Sequence, residues 1–189
     1  AGGSTEGAIE ALAPLLPGAP LFPMRRRDGR VEVDRAPLPL GAVYTGPLAV
    51  LVDGETASAA EMIAAAIASY RRGTVLGRPT FGKGCAQEFL DDAAGRGILK
   101  LTTLVFARPD GLPLQQTGLV PDIVFGPDTE CDRERELAHA PPPWTGPDVR
   151  RGSYVRVEWP THGGRVGPCS DPGICRALLT PGARRNAAR

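Results

Sequence analysis

An α/β fold followed by a Pro- and Gly-rich C-terminal appendage is predicted by three observations. Residues 48–53, Leu-Ala-Val-Leu-Val-Asp, are a continuous apolar run of strand length. From Ser58 to Arg71 the apolar residues repeat at helical spacing, with Ala59, Ile63, Ala66, Ile67 and Tyr70 on one face. Thr74-Val-Leu-Gly77 is a second apolar run of strand length. A continuous apolar run predicts a strand covered on both faces. The apolar stripe predicts a helix packed against a sheet. Strand, helix and strand in succession imply a right-handed crossover between parallel strands.

The remaining elements follow in order. Gly7 to Leu16 reads as a short helix stopped by Pro17-Gly18, and residues 24–35 as a hairpin turning at Asp28-Gly29. The basic run Arg25–Arg27 is read as a solvated strand face. Gly54-Glu55-Thr56 is a turn, and Gly73 is expected to end the long helix. A Gly-rich loop spans 77–84, after which Cys85-Ala-Gln-Glu-Phe89 reads as weakly helical. Ile98 to Ala107 is a long strand, Arg108-Pro-Asp-Gly111 a tight turn, and Leu112–Gln115 a return. Gly118-Leu-Val-Pro-Asp122 leads into a last short strand.

The composition changes near residue 127 and divides the chain into a core, 1–127, and an appendage, 128–189. The appendage is marked by Pro-Pro-Pro at 141–143 and Gly-Gly at 163–164. Its alternating segment Ser153–Trp159 is the one strand candidate there, and Trp144 and Trp159 are read as packing anchors.

With 42% apolar and 23% charged residues the chain is globular rather than disordered. The 24 Gly and 20 Pro show no collagen-like period, and no apolar stretch is long enough to span a membrane. The first residues, Ala-Gly-Gly-Ser-Thr-Glu, do not read as a signal peptide. A net charge of +1 gives no general attraction to nucleic acid or anionic lipid. The four Cys and two His lack zinc spacing, so no metal or other cofactor is expected. Cys169 and Cys175 enclose a turn-like loop that a disulfide would close in an oxidising compartment.

Two residues stand where α/β sheets place chemistry, at strand C-termini. Ser58 opens the long helix, where unpaired N–H groups favour a developing oxyanion. The same residue begins Ser58-Ala-Ala-Glu61, which on local sequence reads first as a capping box with Glu61 as its other half. Lys83 sits between Gly82 and Gly84 in the Gly-rich loop. Only two of the 22 basic residues are Lys, which singles it out. A lysine, unlike arginine, can serve as a proton acceptor once desolvated; the alternative is an exposed loop lysine.

The loop also fits G-x-x-x-x-G-K, the phosphate-binding pattern. However, Gly84 replaces the expected Ser or Thr, and Pro79 removes an N–H. Gln87 is placed to hydrogen-bond the Lys83 amine or to lie exposed. Asp53 is read as a turn former, and Cys85 as a thiol without a His partner.

Several blocks in order resemble one family. They are Gly46-Pro-Leu-Ala-Val-Leu-Val-Asp53, Thr56-Ala-Ser-Ala-Ala-Glu61, and Gly77-Arg-Pro-Thr-Phe-Gly-Lys-Gly84 with Gln87. Leu99-Lys-Leu-Thr-Thr103, Arg108-Pro-Asp-Gly111 and Gly118-Leu-Val-Pro-Asp-Ile123 continue the pattern. Together, over roughly residues 1–125, they resemble the catalytic domain of the C-terminal processing (tail-specific) peptidases. The resemblance implies a crotonase/ClpP-like α/β core of mixed sheet with packed helices, incomplete at the N-terminus. It implies a Ser–Lys serine endopeptidase acting on protein or peptide substrates near their C-termini, outside the cytoplasm. The nucleophile would be Ser58, the general base Lys83 and the Lys-supporting residue Gln87. The oxyanion hole would use the N–H of Ala59 and of Gly2 or Gly3, the remnant of the family's Gly-Gly turn.

The family's PDZ-like module and the strand leading into that turn have no counterpart in the sequence. Either another chain supplies them, through a PDZ-containing partner segment or a homo-oligomer, or the chain is a fragment. Residues 128–189 have no family counterpart. A non-catalytic module that binds peptides or hydrophobic ligands is the alternative function.

Overall fold

A computed structural model of the chain describes residues 2–41, 43–91, 95, 97–126 and 133–151. The strand candidate at 153–159 and the Cys169–Cys175 pair lie outside the described residues.

Helix α1 spans Thr5–Leu12, starting two residues earlier and ending four residues sooner than the sequence predicts. Ser4 decides its start, accepting the Gly7 N–H at 3.2 Å as N-cap. Strands β1 (Pro20–Arg26) and β2 (Val31–Arg35) form the expected antiparallel hairpin. Its turn uses Gly29 at φ +85° and Asp28, which accepts the Arg30 N–H at 2.9 Å.

The central unit follows the sequence closely. β3 (Ala49–Val52) and β4 (Thr74–Gly77) pair in parallel, with α2 (Ala59–Ser69) between them in the chain. β7 (Ile123–Val124) adds a third parallel strand to β4. Two expectations here are corrected. Among the described residues β3 is an edge strand and Leu51 is 57% exposed, so its apolar run is not covered on both faces. The helix ends by a Schellman motif at Arg71 (φ +54°), before Gly73. Its closing bonds are Arg72 N–H to Ile67 O at 2.9 Å and Arg71 N–H to Ala68 O at 3.0 Å. Gly73 serves close packing instead, since a Cβ there would lie 2.6 Å from Leu48 O.

β5 (Cys85–Asp91) and β6 (Ile98–Phe106) complete an antiparallel sheet in the order β2–β1–β6–β5. The weakly helical reading of 85–89 is therefore overturned. Pairing along β6, from Cys85 opposite Val105 to Asp91 opposite Ile98, outweighs a local propensity that was never strong. With a strand after Lys83 where a nucleotide loop requires a helix, the phosphate-binding reading also falls.

Parallel and antiparallel strands thus occur together in a mixed α/β fold, divided between two sheets. One core joins them: Leu21, Phe22, Met24 and Phe106 from one side, Val52 and Val75 from the other, and Met62, Ala65 and Ile67 of α2. α2 is buried on most of its circumference, which explains its run of small residues.

The described part of the appendage packs on this core. Trp144 lies under the Arg25 guanidinium at 5.2 Å, and the Gly146 N–H reaches Gly111 O at 2.9 Å. A short 3-10 turn, Glu134–Glu136, places Glu134 in the interior, 4% exposed. No helix among the described residues is long and apolar enough to cross a membrane.

Candidate active site

Ser58 and Lys83 follow the C-terminal ends of the parallel neighbours β3 and β4. After β3 the chain turns on Asp53, whose Oδ1 accepts the N–H groups of Glu55 at 3.1 Å and Thr56 at 3.0 Å. Ser58 then opens α2 at φ +55°, ψ −122°. An ordinary N-cap has extended backbone. A non-glycine residue in this region is strained, and such strain concentrates at functional turns between strand and helix. The Ser58 hydroxyl and the Glu61 N–H face one another as in a capping box, without the geometry of a cap hydrogen bond.

The Gly-rich loop is fastened next to this turn. The Phe81 N–H donates to Thr56 O at 3.0 Å, and the Gln116 N–H to Gly82 O at 2.7 Å. Gly82 adopts φ +98°, a conformation that suits glycine. At Gly84 a Cβ would lie 2.4 Å from the Gln115 backbone nitrogen, so only glycine fits.

Glu61 joins the two segments. It is fully buried on α2. Its Oε2 accepts the N–H of Ser58 at 2.9 Å and of Lys83 at 2.8 Å, while Oε1 accepts the Gly82 N–H at 2.8 Å and the Thr80 hydroxyl. Burial pushes its carboxyl above the usual carboxylate range, and these four donors act in the opposite direction. The sequence shows Glu61 as half of a capping box. Its three donors from the 80–83 loop arise from tertiary contact and leave no local signal.

The glycines at the start of the chain separate clearly. A Cβ on Gly2 would lie 2.6 Å from Ala57 O, 2.7 Å from Ser58 Cβ and 2.9 Å from Ala59 N. The Gly2 backbone is thus pressed against the Ser58–Ala59 step. Gly3 would meet nothing within 4 Å.

The side chains of the sequence-predicted site are brought together less completely than their backbones. Among the described residues no hydrogen bond joins the Lys83 amine to the Ser58 hydroxyl or to Gln87. Gln87 lies on β5 and turns its Nε2 to Cys85 Sγ at 3.4 Å and Thr102 Oγ1 at 3.2 Å. Catalytic hydrogen bonds often tighten only with substrate in place. Burial raises the Cys85 thiol above its ordinary value, with the nearby Glu134 carboxylate adding to the effect, so it is a poor nucleophile. His139 is exposed. No group of three or more His, Cys, Asp or Glu among the described residues could hold a metal ion.

Comparison with known proteins places this chain in a family. Residues 1–125 match the model of peptidase family S41. The chain is 41% identical over 78 residues to a carboxy-terminal-processing protease of Bartonella bacilliformis, covering 41% of this chain and 18% of that protein. It is 34% identical over 127 residues to the chloroplastic C-terminal processing peptidase of Tetradesmus obliquus, covering 59% of this chain and 27% of that one. Among solved structures, the photosystem II D1 C-terminal processing protease superposes with a TM-score of 0.56 at 29% identity. That match covers 66% of this chain and 32% of that one. The chain therefore spans less than a third of the length of these relatives. With two thirds of its residues matched by the family model, the chain belongs to peptidase family S41, the family of the C-terminal processing serine peptidases.

Proposed function

We propose that this chain carries the nucleophile and base of a Ser–Lys endopeptidase that cleaves proteins near their C-termini, outside the cytoplasm. One observation supports this reading above the others: the strained Ser58 turn and the Lys83 loop are held by the same buried carboxylate. The names of the relatives, as C-terminal processing proteases, support the substrate class.

In the proposed reaction the uncharged Lys83 amine takes the proton of the Ser58 hydroxyl as its oxygen attacks the substrate carbonyl. The negative charge that develops on that carbonyl oxygen is met by the N–H of Ala59 and of Gly2 or Gly3. The protonated Lys83 then gives its proton to the departing amine, breaking the peptide bond and leaving an ester on Ser58. Water, deprotonated by Lys83, cleaves the ester and restores both groups. Gln87 would support the Lys83 amine after its amide turns from Cys85 and Thr102. Parts that recognise the substrate's terminal carboxylate would come from a PDZ-containing segment or from another copy in a homo-oligomer.

The test is covalent labelling with a fluorophosphonate, mapped by mass spectrometry. Ser58 is expected to be the labelled residue. Ser58→Ala and Lys83→Ala should abolish labelling, and Lys83→Arg should too, because a guanidinium stays protonated. Full labelling of Lys83→Arg would remove Lys83 from the base role. Saturable peptide binding by a chain that never labels would favour a binding module instead.

A further inference from the structure

The backbone N–H groups of Gly82, Lys83 and Gly84 are consecutive, and each ends on a buried side chain. Gly82 and Lys83 donate to Glu61, both at 2.8 Å. Gly84 donates to Gln115 Oε1 at 2.8 Å. The first two bonds stay within the family-matched residues. The third depends on a group outside them. Gln115 is fully buried and turns its Nε2 to Glu134 Oε1 at 3.0 Å. A carboxylate only accepts, so Glu134 dictates which end of the Gln115 amide faces Gly84. Without it the amide can rotate and set an NH₂ against the Gly84 N–H.

The rest of the same turn grips the same loop. Arg133 Nη1 donates to Thr80 O at 3.0 Å, and the Glu134 N–H to Phe81 O at 3.2 Å. A few residues on, Ala140 O and Pro141 O accept from Gln116 Nε2, at 3.4 and 2.8 Å. A carboxylate only 4% exposed is expensive to bury unless it is hydrogen-bonded, and Gln115 Nε2 supplies Glu134 with such a bond.

We infer that residues 133–136 are a positioning strap for the Lys83 loop, with Glu134 fixing the Gln115 amide that holds Gly84. The strap lies beyond residues 1–125, so it is a feature of this chain that the family match does not assign. It rests on the reading of Lys83 as the base, because what it positions is that amine. Glu134 touches no reacting atom; its Oε1 meets Gln115 Nε2 at 3.0 Å and the Cys85 thiol at 3.8 Å.

The test compares Glu134→Ala and Glu134→Gln in the full chain. Hydrogen exchange of the peptide containing Gly82–Gly84 reads the strap without requiring activity, with α2 as the control for intact folding. Fluorophosphonate labelling of Ser58 as a function of pH reads its effect on Lys83. In Glu134→Ala the loop amides should exchange faster while α2 is unchanged. Labelling should slow about 10- to 100-fold, and its pH profile should change. Glu134→Gln retains an acceptor for Gln115 Nε2 and should restore most of both.

Unchanged exchange and pH profile in Glu134→Ala would overturn the strap, as would equal effects of the two variants. A wild-type chain that never labels would sink the dyad reading alone, and the exchange comparison would then decide the strap by itself. If α2 also loses protection in Glu134→Ala, Glu134→Gln against wild type decides: normal loop exchange supports the strap, and fast exchange with a protected α2 overturns it.

Discussion

Ser58 and Lys83 donate their backbone N–H groups to one and the same atom, Glu61 Oε2, at 2.9 and 2.8 Å. The mouth of α2 and the loop after β4 are thus fixed to each other through a single oxygen, although 25 positions separate the two residues in sequence. Glu61 is buried, so water cannot substitute for it if it is lost.

Glu61→Gln tests that arrangement. A glutamine keeps one oxygen and places an NH₂ where the second stood, facing N–H groups that need an acceptor. Each unpaired buried donor costs about 1–3 kcal/mol. A loss of about 3 kcal/mol in denaturant-induced unfolding is expected, with Ser58 labelling reduced more than the fraction unfolded explains. A variant as stable and as reactive as wild type would show that the shared oxygen matters to neither.

The strain at Ser58 gives an opposite pairing of stability and reactivity. A non-glycine residue at φ +55°, ψ −122° stores about 1–3 kcal/mol. Glycine adopts such angles freely but has more entropy to lose on folding, roughly 0.5–1 kcal/mol. Ser58→Gly should therefore abolish labelling while stabilising the fold by about 1 kcal/mol in urea unfolding. A destabilised Ser58→Gly would mean that the hydroxyl contributes to the fold after all.

What the sequence makes legible follows the range of the forces involved. The β3–α2–β4 unit and the Asp28-Gly29 hairpin rest on local pattern and turn chemistry, and both appear where those predict. The limits of α1 and α2 shifted because a cap is decided at single residues, by the Ser4 side chain at the start of α1 and by the left-handed backbone of Arg71 at the end of α2. Cys85–Phe89 reads as weakly helical in isolation because the strand it belongs to depends on β6, whose partners lie 7 to 20 residues away. For the site, the types and spacing of Ser58 and Lys83 stand out in the sequence, but their fastening does not. Glu61 gathers donors from residues 80–83, Gln115 from Gly84, and Glu134 from Gln115. A linear pattern carries no trace of such contacts between distant segments. Leu51 illustrates the converse: its run reads as buried, yet its edge position leaves it open.

Acid should loosen the appendage. Arg150 clasps Asp148 through both carboxylate oxygens, at 2.6 and 2.9 Å, and reaches Ser69 O at the end of α2 at 3.4 Å. Hydrogen bonds from Arg150 hold the Asp148 carboxyl at about 2, below the ordinary 3.8. The unfolded chain therefore binds the proton more readily. The stabilisation is complete above the unfolded value and is lost as pH falls through about 2. Because the pair is about a third exposed, screening limits it to roughly 0.5 kcal/mol. Asp148→Asn should flatten the acid limb of a stability–pH curve by that amount and leave neutral stability lower. An acid limb identical to wild type would mean that the clasp is already broken in solution.

Gly2 and Gly3 should respond very differently to the same substitution. A methyl group on Gly2 would collide with Ala57 O, Ser58 Cβ and Ala59 N, all within 2.9 Å, and all three lie along the Ser58 turn. Relief requires the segment before α1 to move away from the Ala59 N–H, or the strained turn itself to shift. Either movement separates the two donors proposed for the oxyanion, and loss of one such donor costs about 10²–10³ in rate. Position 3 has open space around a Cβ and no positive φ, so Gly3→Ala leaves the turn in place. Labelling rates should therefore fall by about two orders of magnitude in Gly2→Ala and stay within about threefold of wild type in Gly3→Ala. Thermal unfolding should show that both variants fold. Equal rates for the two variants would place the second oxyanion donor elsewhere than the segment pressed against Ser58.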